Sequence, residues 1–233
     1  MREINSILFV AFPNVGEQDL LAPWELMQSL AGSLRARGRT LDVTLGSFQA
    51  GTISTHMGLG IQPVRTIVPT DRFDLVYIPG GVGAGQQSAN QTLLQFVRNH
   101  HGEQRWIAAN CAGVGVLHRA GILAGLEVTA PATLARVLPA QGTRVVTPRR
   151  AWKIDPEHRI FTTGGAATVH ASTIALVAHL FGEPHARDLA ANWDSLPLHG
   201  ESLFSLVGPA MADDSRIMRA VQDQWEHVFL PAA

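Results

Sequence analysis

Short apolar runs alternate with helix-spaced apolar residues along most of this 233-residue chain. A continuous apolar run of about 4–8 residues is typical of a strand buried on both faces of a sheet. Such runs occupy residues 6–12, 41–48, 74–79, 105–109 and 159–165. Helical patterns follow them at residues 20–34, 93–100 and 169–182 and begin again near Ala112. This alternation predicts a mostly parallel sheet covered by helices on both faces, and therefore an α/β fold.

One domain accounts for the pattern, because the sequence has no internal repeat and no long linker. We interpret residues 1–233 as a single domain with its core at about residues 6–192. Residues 51–61 hold three glycines among polar and β-branched residues, and they predict a hairpin appended to the sheet.

The segment after Asn192 is less regular until a helical pattern returns at residues 213–229. The apolar positions of that pattern are Ile217, Val221, Trp225 and Val228. Asp213 or Asp214 provides the expected N-terminal cap. We expect this terminal helix to pack on the core.

Composition restricts the class of protein. A hydrophobic fraction of 46% is sufficient for a substantial core. The net charge is −1, whereas nucleic-acid-binding proteins usually carry excess positive charge in a basic stripe. The N-terminal apolar run is too short for a signal peptide, and no run reaches membrane-spanning length. A single cysteine forms no internal disulfide, which fits a reducing compartment. We expect a cytoplasmic protein that binds neither membranes nor nucleic acid.

That single cysteine, Cys111, lies at the corner between the strand at 105–109 and the following helix. The residues two before and two after it, Ala109 and Gly113, are small, as they are around the nucleophile of a sharp strand-to-helix turn. A thiol at a helix N-terminus favours its thiolate, so we expect a pKa below the free-thiol value of ~8.5. The alternative is a buried, space-filling cysteine. The small neighbours favour a presented nucleophile.

A glycine run follows the strand at 74–79. Its members are Gly80, Gly81, Gly83 and Gly85. The run has neither the spacing nor the position of a dinucleotide-binding fingerprint, and it lacks the lysine of a phosphate-binding loop. We expect a bare backbone amide near the cleft that donates to a developing oxyanion, the alternative being an ordinary tight turn.

Two acids, Glu17 and Asp19, begin the first predicted helix, at the carboxyl end of the first strand. Acids in a first turn are usually caps, but one at this sheet edge can exchange protons with the thiol. Each helical residue turns by about 100°, so the two face nearly opposite sides. Asp19 precedes Leu20 and Leu21 of the buried side and is the expected inward group. Glu17 is then expected to be solvated.

The ten histidines are scattered and form no metal-binding motif, so the sequence supports no metal or other cofactor. His100 and His101 end a predicted helix and are expected to face solvent.

Four stretches together resemble the ThiJ/PfpI superfamily, whose fold is similar to that of class I glutamine amidotransferases. They read FPNVGEQDLLAPWEL, DLVYIPGGVGAG, ANCAGVGVLHRAGILAGLEVTAP and IFTTGGAATVHASTIALVAHLFG. The likeness covers about residues 6–192. It implies a flavodoxin-like three-layer sandwich, usually a homodimer. It also implies that Cys111 is the nucleophile with Asp19 beside it, and that the amides of Gly81 and Ala112, next to Gly80, form an oxyanion and substrate-binding pocket.

Two branches of that superfamily are most similar, isonitrile hydratases and the sensing domains of AraC-type transcriptional regulators. Those branches commonly have threonine after the cysteine, where this chain has Ala112. Many members also carry a histidine downstream, where this chain reads Thr129, Ala130 and Pro131. A cysteine–carboxylate pair is therefore expected rather than a cysteine–histidine dyad.

The first hypothesis is an enzyme that hydrates a small electrophilic carbon such as that of an isocyanide. The alternative is a domain that senses a small molecule without turnover. The 233 residues contain no helix-turn-helix pattern, which we take to favour the enzyme.

Overall fold

The computed structural model describes residues 3–194, 204–211 and 215–230. Seven strands form the central sheet and four more form two small two-stranded sheets. In chain order the strands are β1 (Ser6–Val10), β2 (Asp42–Ser47), β3 (Ile53–Ser54), β4 (Gly60–Ile61), β5 (Arg65–Thr66), β6 (Leu75–Ile78), β7 (Trp106–Ala109), β8 (Glu127–Val128), β9 (Arg144–Val145), β10 (Trp152–Asp155) and β11 (Ile160–Thr163). The helices are α1 (Glu17–Ala36), α2 (Ala84–Gln87), α3 (Gln91–Gly102), α4 (Gly113–Arg119), α5 (Val137–Ala140), α6 (Val169–Phe181), α7 (Glu183–Asn192) and α8 (Ser215–Phe229).

The central sheet has the strand order β10-β11-β7-β6-β1-β2-β5. β10 runs antiparallel to β11, and the other neighbours pair in parallel. From β1 the chain moves to β2 in one direction, whereas from β6 it moves to β7 in the other. Because such crossovers are right-handed, α1 and α3 cover opposite faces. This confirms the predicted α/β class and the mostly parallel, flavodoxin-like sandwich.

The strands that carry the site are deeply buried. β6 and β7 are buried at every position, and β1 is buried after its first residue. This explains why they read as continuous apolar runs without alternation. Phe9 of β1 and Tyr77 of β6 stack with ring centroids 4.9 Å apart.

Several elements lack a clear sequence signal. The sequence analysis did not predict the edge strands β5 and β10 or helix α7. The predicted hairpin is present as β3 and β4. The expected solvation of His100 is wrong, because its ring is fully buried. Its Nε2 accepts the Phe73 amide at 3.2 Å and its Nδ1 lies 2.9 Å from the Phe96 carbonyl, which replaces solvent with hydrogen bonds.

The predicted C-terminal helix is present as α8 and packs against α2 and the 3-10 turn Ala132–Leu134. Phe229 and Leu230 at its end are buried. A Cβ at Gly85 would lie 1.9 Å from the Val228 carbonyl oxygen, so only glycine permits this close approach. The predicted caps Asp213 and Asp214 lie outside the described residues. Among the helices that the structure describes, none is long and apolar enough to cross a membrane.

Candidate active site

Cys111 lies on a sharp turn between β7 and α4, at the carboxyl edge of the sheet. Its φ of +47° is in the left-handed region, which few non-glycine residues adopt. The Cys111 amide donates to the Gly164 carbonyl after β11 at 2.7 Å, which holds the turn in place. A Cβ at Gly113 would lie 2.3 Å from the Ile78 carbonyl oxygen, so the turn requires glycine there. The predicted elbow, with its small neighbours, is therefore present.

Asn110 ties the three strand ends of the site together. Its side chain is fully buried. Its Oδ1 accepts the Gly80 amide at 2.9 Å, and its Nδ2 donates to the Asp19 carbonyl at 2.9 Å. The Gly16 amide in turn donates to the Gly80 carbonyl at 3.0 Å. The segments that follow β1, β6 and β7 are thus joined to one another by hydrogen bonds.

Asp19 faces the thiol, and its side chain is almost completely buried at 4% exposure. The carboxyl lies beside Cys111, since both groups approach Gly80. Its Oδ1 has no hydrogen-bond partner among the described residues. Burial raises the pKa of Asp19 to about 7, with the interaction with Cys111 opposing the increase and the charge of Glu17 adding to it. Such a group exchanges protons readily near neutral pH.

Glu17 points away from the thiol, toward the hairpin. The Thr55 hydroxyl and the Met57 amide both donate to its Oε1, the latter at 2.7 Å. Burial raises the pKa of Glu17, but these hydrogen bonds outweigh it and the net pKa lies below the ordinary value. The expectation that Glu17 is simply solvated is therefore wrong, since it anchors the turn between β3 and β4. Its separation from Asp19 follows the predicted helical geometry.

Two backbone amides surround the sulfur. The N–H groups of Gly81 and Ala112 both interact with the Cys111 sulfur and favour its thiolate form. Gly80, predicted as part of the same pocket, does not supply a third donor, because its amide is already engaged by Asn110. Its contribution is space: a Cβ there would lie 2.5 Å from the Cys111 Cβ and 2.7 Å from Asp19 Oδ2.

The expected decrease of the thiol pKa does not occur. Burial raises the pKa of Cys111 well above its ordinary value, the negative charge of Asp19 raises it further, and the amides of Ala112 and Gly81 only partly oppose this. α4 is seven residues long, and the positive end of so short a helix does not outweigh these effects. The resting pair therefore carries at most one negative charge at neutral pH.

A cleft of about 320 Å³ opens over this pair. Its far wall is apolar and comes mainly from α8. The lining residues absent from the sequence-based site are Gly16, His56, Val82, Thr133, Val221, Trp225 and Phe229. The α8 residues show only a helical period in the sequence. Nothing in that period indicates that this helix reaches the turn at Cys111. Thr133 Oγ1 is buried and has no partner among the described residues, and Asp19 Oδ1 shares that property.

Metal ions have no candidate ligand group in the part of the chain that the structure describes. No three His, Cys, Asp or Glu side chains there gather into a metal-binding group. The reactive groups are those of the chain itself: a thiol, a carboxyl group and two backbone N–H donors. This set resembles a nucleophile with an adjacent acid–base group and an oxyanion pocket.

Curated relatives include both an enzyme and a transcriptional regulator. An isonitrile hydratase of Pseudomonas putida is 26% identical over 174 residues, which are 75% of this chain and 71% of that enzyme. The HTH-type transcriptional regulator GbdR of Pseudomonas aeruginosa is 26% identical over 190 residues, or 82% of this chain. The chain spans about half of that regulator, 48% of its length.

Solved structures agree on the fold. A ThiJ/PfpI family protein from Pseudomonas syringae superimposes with a TM-score of 0.75 at 17% identity, covering 98% of this chain and 88% of that one. Oxidized DJ-1 of Toxoplasma gondii gives a TM-score of 0.71 at 18% identity, covering 82% and 99%. The model of the DJ-1/PfpI family matches residues 5–173. This match covers most of the chain, including Cys111 and Asp19, and the protein therefore belongs to the DJ-1/PfpI family.

Proposed function

We propose that this protein is a cysteine-dependent enzyme that adds water to a small electrophilic carbon, most like an isonitrile hydratase. The observation that carries the proposal is the buried Asp19 carboxyl beside the Cys111 thiol in one cleft, with a pKa of about 7. A proton held between these groups is available at neutral pH without a histidine. The relationship to an isonitrile hydratase supports the same reaction class.

The reaction we propose has two stages. The Cys111 sulfur bonds to the terminal carbon of an isocyanide, and the proton shared with Asp19 moves to that carbon, giving a thioimidate. Water then adds to the same carbon while its proton passes through Asp19 toward the nitrogen. Cleavage of the carbon–sulfur bond releases an N-substituted formamide and restores the thiol. One water is consumed, and the pair returns to its starting protonation.

The environment supports each stage. Two N–H groups, of Gly81 and Ala112, are directed at the sulfur and stabilise negative charge that develops there. Ala112 has no hydroxyl to hold the attacking water. Thr133 supports that role in its place, because its buried Oγ1 lines the cleft and has no partner among the described residues.

Ligand sensing without turnover is the second candidate. It is favoured by the likeness to the regulator GbdR, which covers 82% of this chain. An open cleft with one apolar wall also suits reversible binding of a small molecule. In this case Cys111 and Asp19 contact a ligand without transforming it.

A homodimer is the proposed assembly. The chain exposes large apolar side chains between residues 57 and 68, namely Met57 at 79%, Leu59 at 49%, Val64 at 78% and Val68 at 48%. Exposed apolar surface of this kind commonly marks an interface, and the family resemblance favours a second copy of this chain as the partner. Sedimentation velocity tests the assembly, and a monomer across the concentration range would contradict it.

The test of function compares wild type with Cys111→Ala. Aliphatic and aromatic isocyanides are incubated with each protein, and N-substituted formamides are measured by mass spectrometry. We expect product from wild type, none above background from Cys111→Ala, and comparable binding of the substrate to both. Saturable binding to wild type with no product would support sensing instead. Equal product from both proteins would contradict catalysis by Cys111.

A further inference from the structure

The backbone carbonyl of Asp19 lacks its regular helical donor. In an α-helix each backbone N–H donates to the carbonyl four residues earlier, and proline has no N–H. Helix α1 contains Pro23, which lies four residues after Asp19. Because Asp19 is almost completely buried, its carbonyl must be paired from elsewhere in the fold. The group that pairs with it then determines how the first turn of α1 is held.

Asn110 supplies this missing donor. Its Nδ2 donates to the Asp19 carbonyl at 2.9 Å, in a buried contact between residues 91 positions apart in the sequence. Asn110 immediately precedes Cys111. The hydrogen bond that Pro23 removes from α1 is therefore replaced by one from the turn that carries the thiol.

The other polar groups of Asn110 are also paired. Its Oδ1 accepts the Gly80 amide at 2.9 Å. Its backbone amide donates to the Ile78 carbonyl at 3.3 Å, and its carbonyl accepts the Gly113 amide at 2.9 Å. The Gly80 N–H needs an acceptor and the Asp19 carbonyl needs a donor, so the two side-chain contacts together require a carboxamide. An ionised carboxylate could satisfy only the first of them, and an apolar side chain could satisfy neither.

Both contacts of this side chain lead to the reacting groups. A Cβ at Gly80 would lie 2.5 Å from the Cys111 Cβ and 2.7 Å from Asp19 Oδ2, so Gly80 separates the thiol from the carboxyl group with no space to spare. The Gly81 amide, which interacts with the sulfur, follows Gly80 directly. One buried side chain thus fixes α1 and the glycine run relative to the turn at Cys111.

We propose that Asn110 is a positioning residue for the pair formed by Cys111 and Asp19. It replaces the helical hydrogen bond that Pro23 removes, and it thereby holds the Asp19 carboxyl beside the thiol. It acts through Asp19 and Gly80 rather than on a substrate, since it does not line the cleft. Its effect on turnover rests on the proposed function, whereas its effect on the thiol does not.

The first test needs no substrate and uses iodoacetamide labelling of Cys111 against pH. The shift of the labelling midpoint caused by Asp19→Asn is measured in the wild-type chain and again in Asn110→Ala. We expect this shift to be smaller by about half or more in Asn110→Ala, because the carboxyl group no longer has a fixed place beside the sulfur. A shift of the same size in both backgrounds would overturn the proposal.

The second test measures hydration of cyclohexyl isocyanide. Asn110→Ala should lower kcat by about 10–10², as expected when a reacting group is misplaced, and should change KM little. Unchanged kcat, with an active wild type, would contradict the positioning role alone. Absence of formamide from the wild type would contradict the proposed function, and the labelling result would then decide the role of Asn110.

Asn90→Ala is the matched control, since it removes the same side chain outside the cleft. Asn90 Oδ1 accepts the Leu93 amide at 3.3 Å, and its Nδ2 donates to the Gln87 side chain at 2.9 Å. This variant should change neither kcat nor the shift caused by Asp19→Asn. Equal effects of Asn90→Ala and Asn110→Ala would indicate general destabilisation and refute the assignment. If Asn110→Ala does not fold, Asn110→Asp replaces it, because it keeps the acceptor for the Gly80 amide.

A last pair of variants tests the link to Pro23. Pro23→Ala restores an N–H that can donate to the Asp19 carbonyl. Asn110→Ala should lower the Tm in the wild-type background, because it leaves a buried carbonyl unpaired. The same substitution should lower the Tm less in the Pro23→Ala background, where the helix pairs that carbonyl itself. An equal decrease in both backgrounds would mean that Asn110 does not compensate for the proline.

Discussion

The two sides of the Cys111 cleft are built in different ways. On the sheet side, the strand ends are joined by backbone hydrogen bonds and by the Asn110 side chain. Glycine occurs where two backbone segments of this chain approach too closely for a Cβ atom. On the α8 side, the wall consists of side chains, chiefly Val221, Trp225 and Phe229. Side-chain contacts such as the Arg136–Asp223 ion pair at 3.0 Å help to hold that helix.

Under the proposed function, the sheet side holds the reacting groups and the α8 side selects the substrate. A substituent at Gly80 would collide with both Cys111 and Asp19, so the reactive side tolerates little variation. Among the described residues, no hydrogen bond joins the side chains of the α8 wall to the thiol or the carboxyl group. We expect changes on the sheet side to affect the rate of reaction, and changes on the α8 side to affect which molecules bind.

The largest effect should come from Asp19→Asn. The variant keeps the shape of the side chain but removes the carboxyl group that exchanges a proton with the thiol in the proposed reaction. We expect a decrease in kcat of about 10²–10⁴, the usual contribution of a general acid–base group. Steady-state hydration of an accepted isocyanide measures it.

Glu17→Gln provides the matched control, since it removes a carboxylate two residues away. Glu17 contacts Thr55 and Met57 rather than Cys111, so kcat should change by no more than a few-fold. A larger loss of kcat in Glu17→Gln than in Asp19→Asn would exchange the two roles and refute the assigned geometry.

A smaller effect concerns the reactivity of the thiol. Burial and the neighbouring carboxylate raise the pKa of Cys111, so the rate of iodoacetamide labelling should reach its midpoint above the free-thiol value of ~8.5. Asp19→Asn removes a negative charge that disfavours the thiolate. Its labelling midpoint should therefore move to lower pH, although burial keeps it raised.

The pH dependence of labelling distinguishes this raised pKa of Cys111 from the lowered pKa expected for a thiol at a helix N-terminus. A wild-type midpoint at or below that of a free thiol would mean that the amides and α4 outweigh burial. An unchanged midpoint in Asp19→Asn would mean that the carboxyl group does not interact with the sulfur.

Sequence predicts the sheet side well because the signals there are local. Ala109 and Gly113 around Cys111 mark a sharp turn, and burial of β1, β6 and β7 appears directly as apolar runs. Helical geometry was sufficient to separate Asp19 from Glu17. The sign of the thiol pKa shift was not predictable, because it depends on how deeply Cys111 and Asp19 are buried together.

The α8 side was not predictable for a different reason. Its contacts join residues far apart in sequence, such as Gly85 with Val228 and Gln222 with Ala132. In the sequence, Gly85 is one of several glycines in a run. In the structure, its lack of a Cβ atom allows α8 to approach this closely. A helical period indicates that a face is buried but does not indicate what that face covers.

The smallest effect, and the sharpest test of the α8 side, is expected from Trp225→Ala. Trp225 lines the cleft and contributes apolar surface with Phe229, whose ring centroid is 6.2 Å away. Losing part of one large apolar contact should raise KM by about tenfold for substrates with a bulky hydrocarbon group. The change should be smaller for methyl isocyanide, which is too short to fill the wall. Because no hydrogen bond joins Trp225 to Cys111 or Asp19 in the described structure, kcat should change little.

Trp193→Ala is the control for this last prediction, since it removes the same side chain at a position outside the cleft. It should leave KM unchanged for both short and bulky substrates. A fall in kcat in Trp225→Ala, with KM unchanged, would mean that α8 helps to position the reactive groups. The separation between a reactive sheet edge and a selective helical wall would then fail, because both sides would act on the same step.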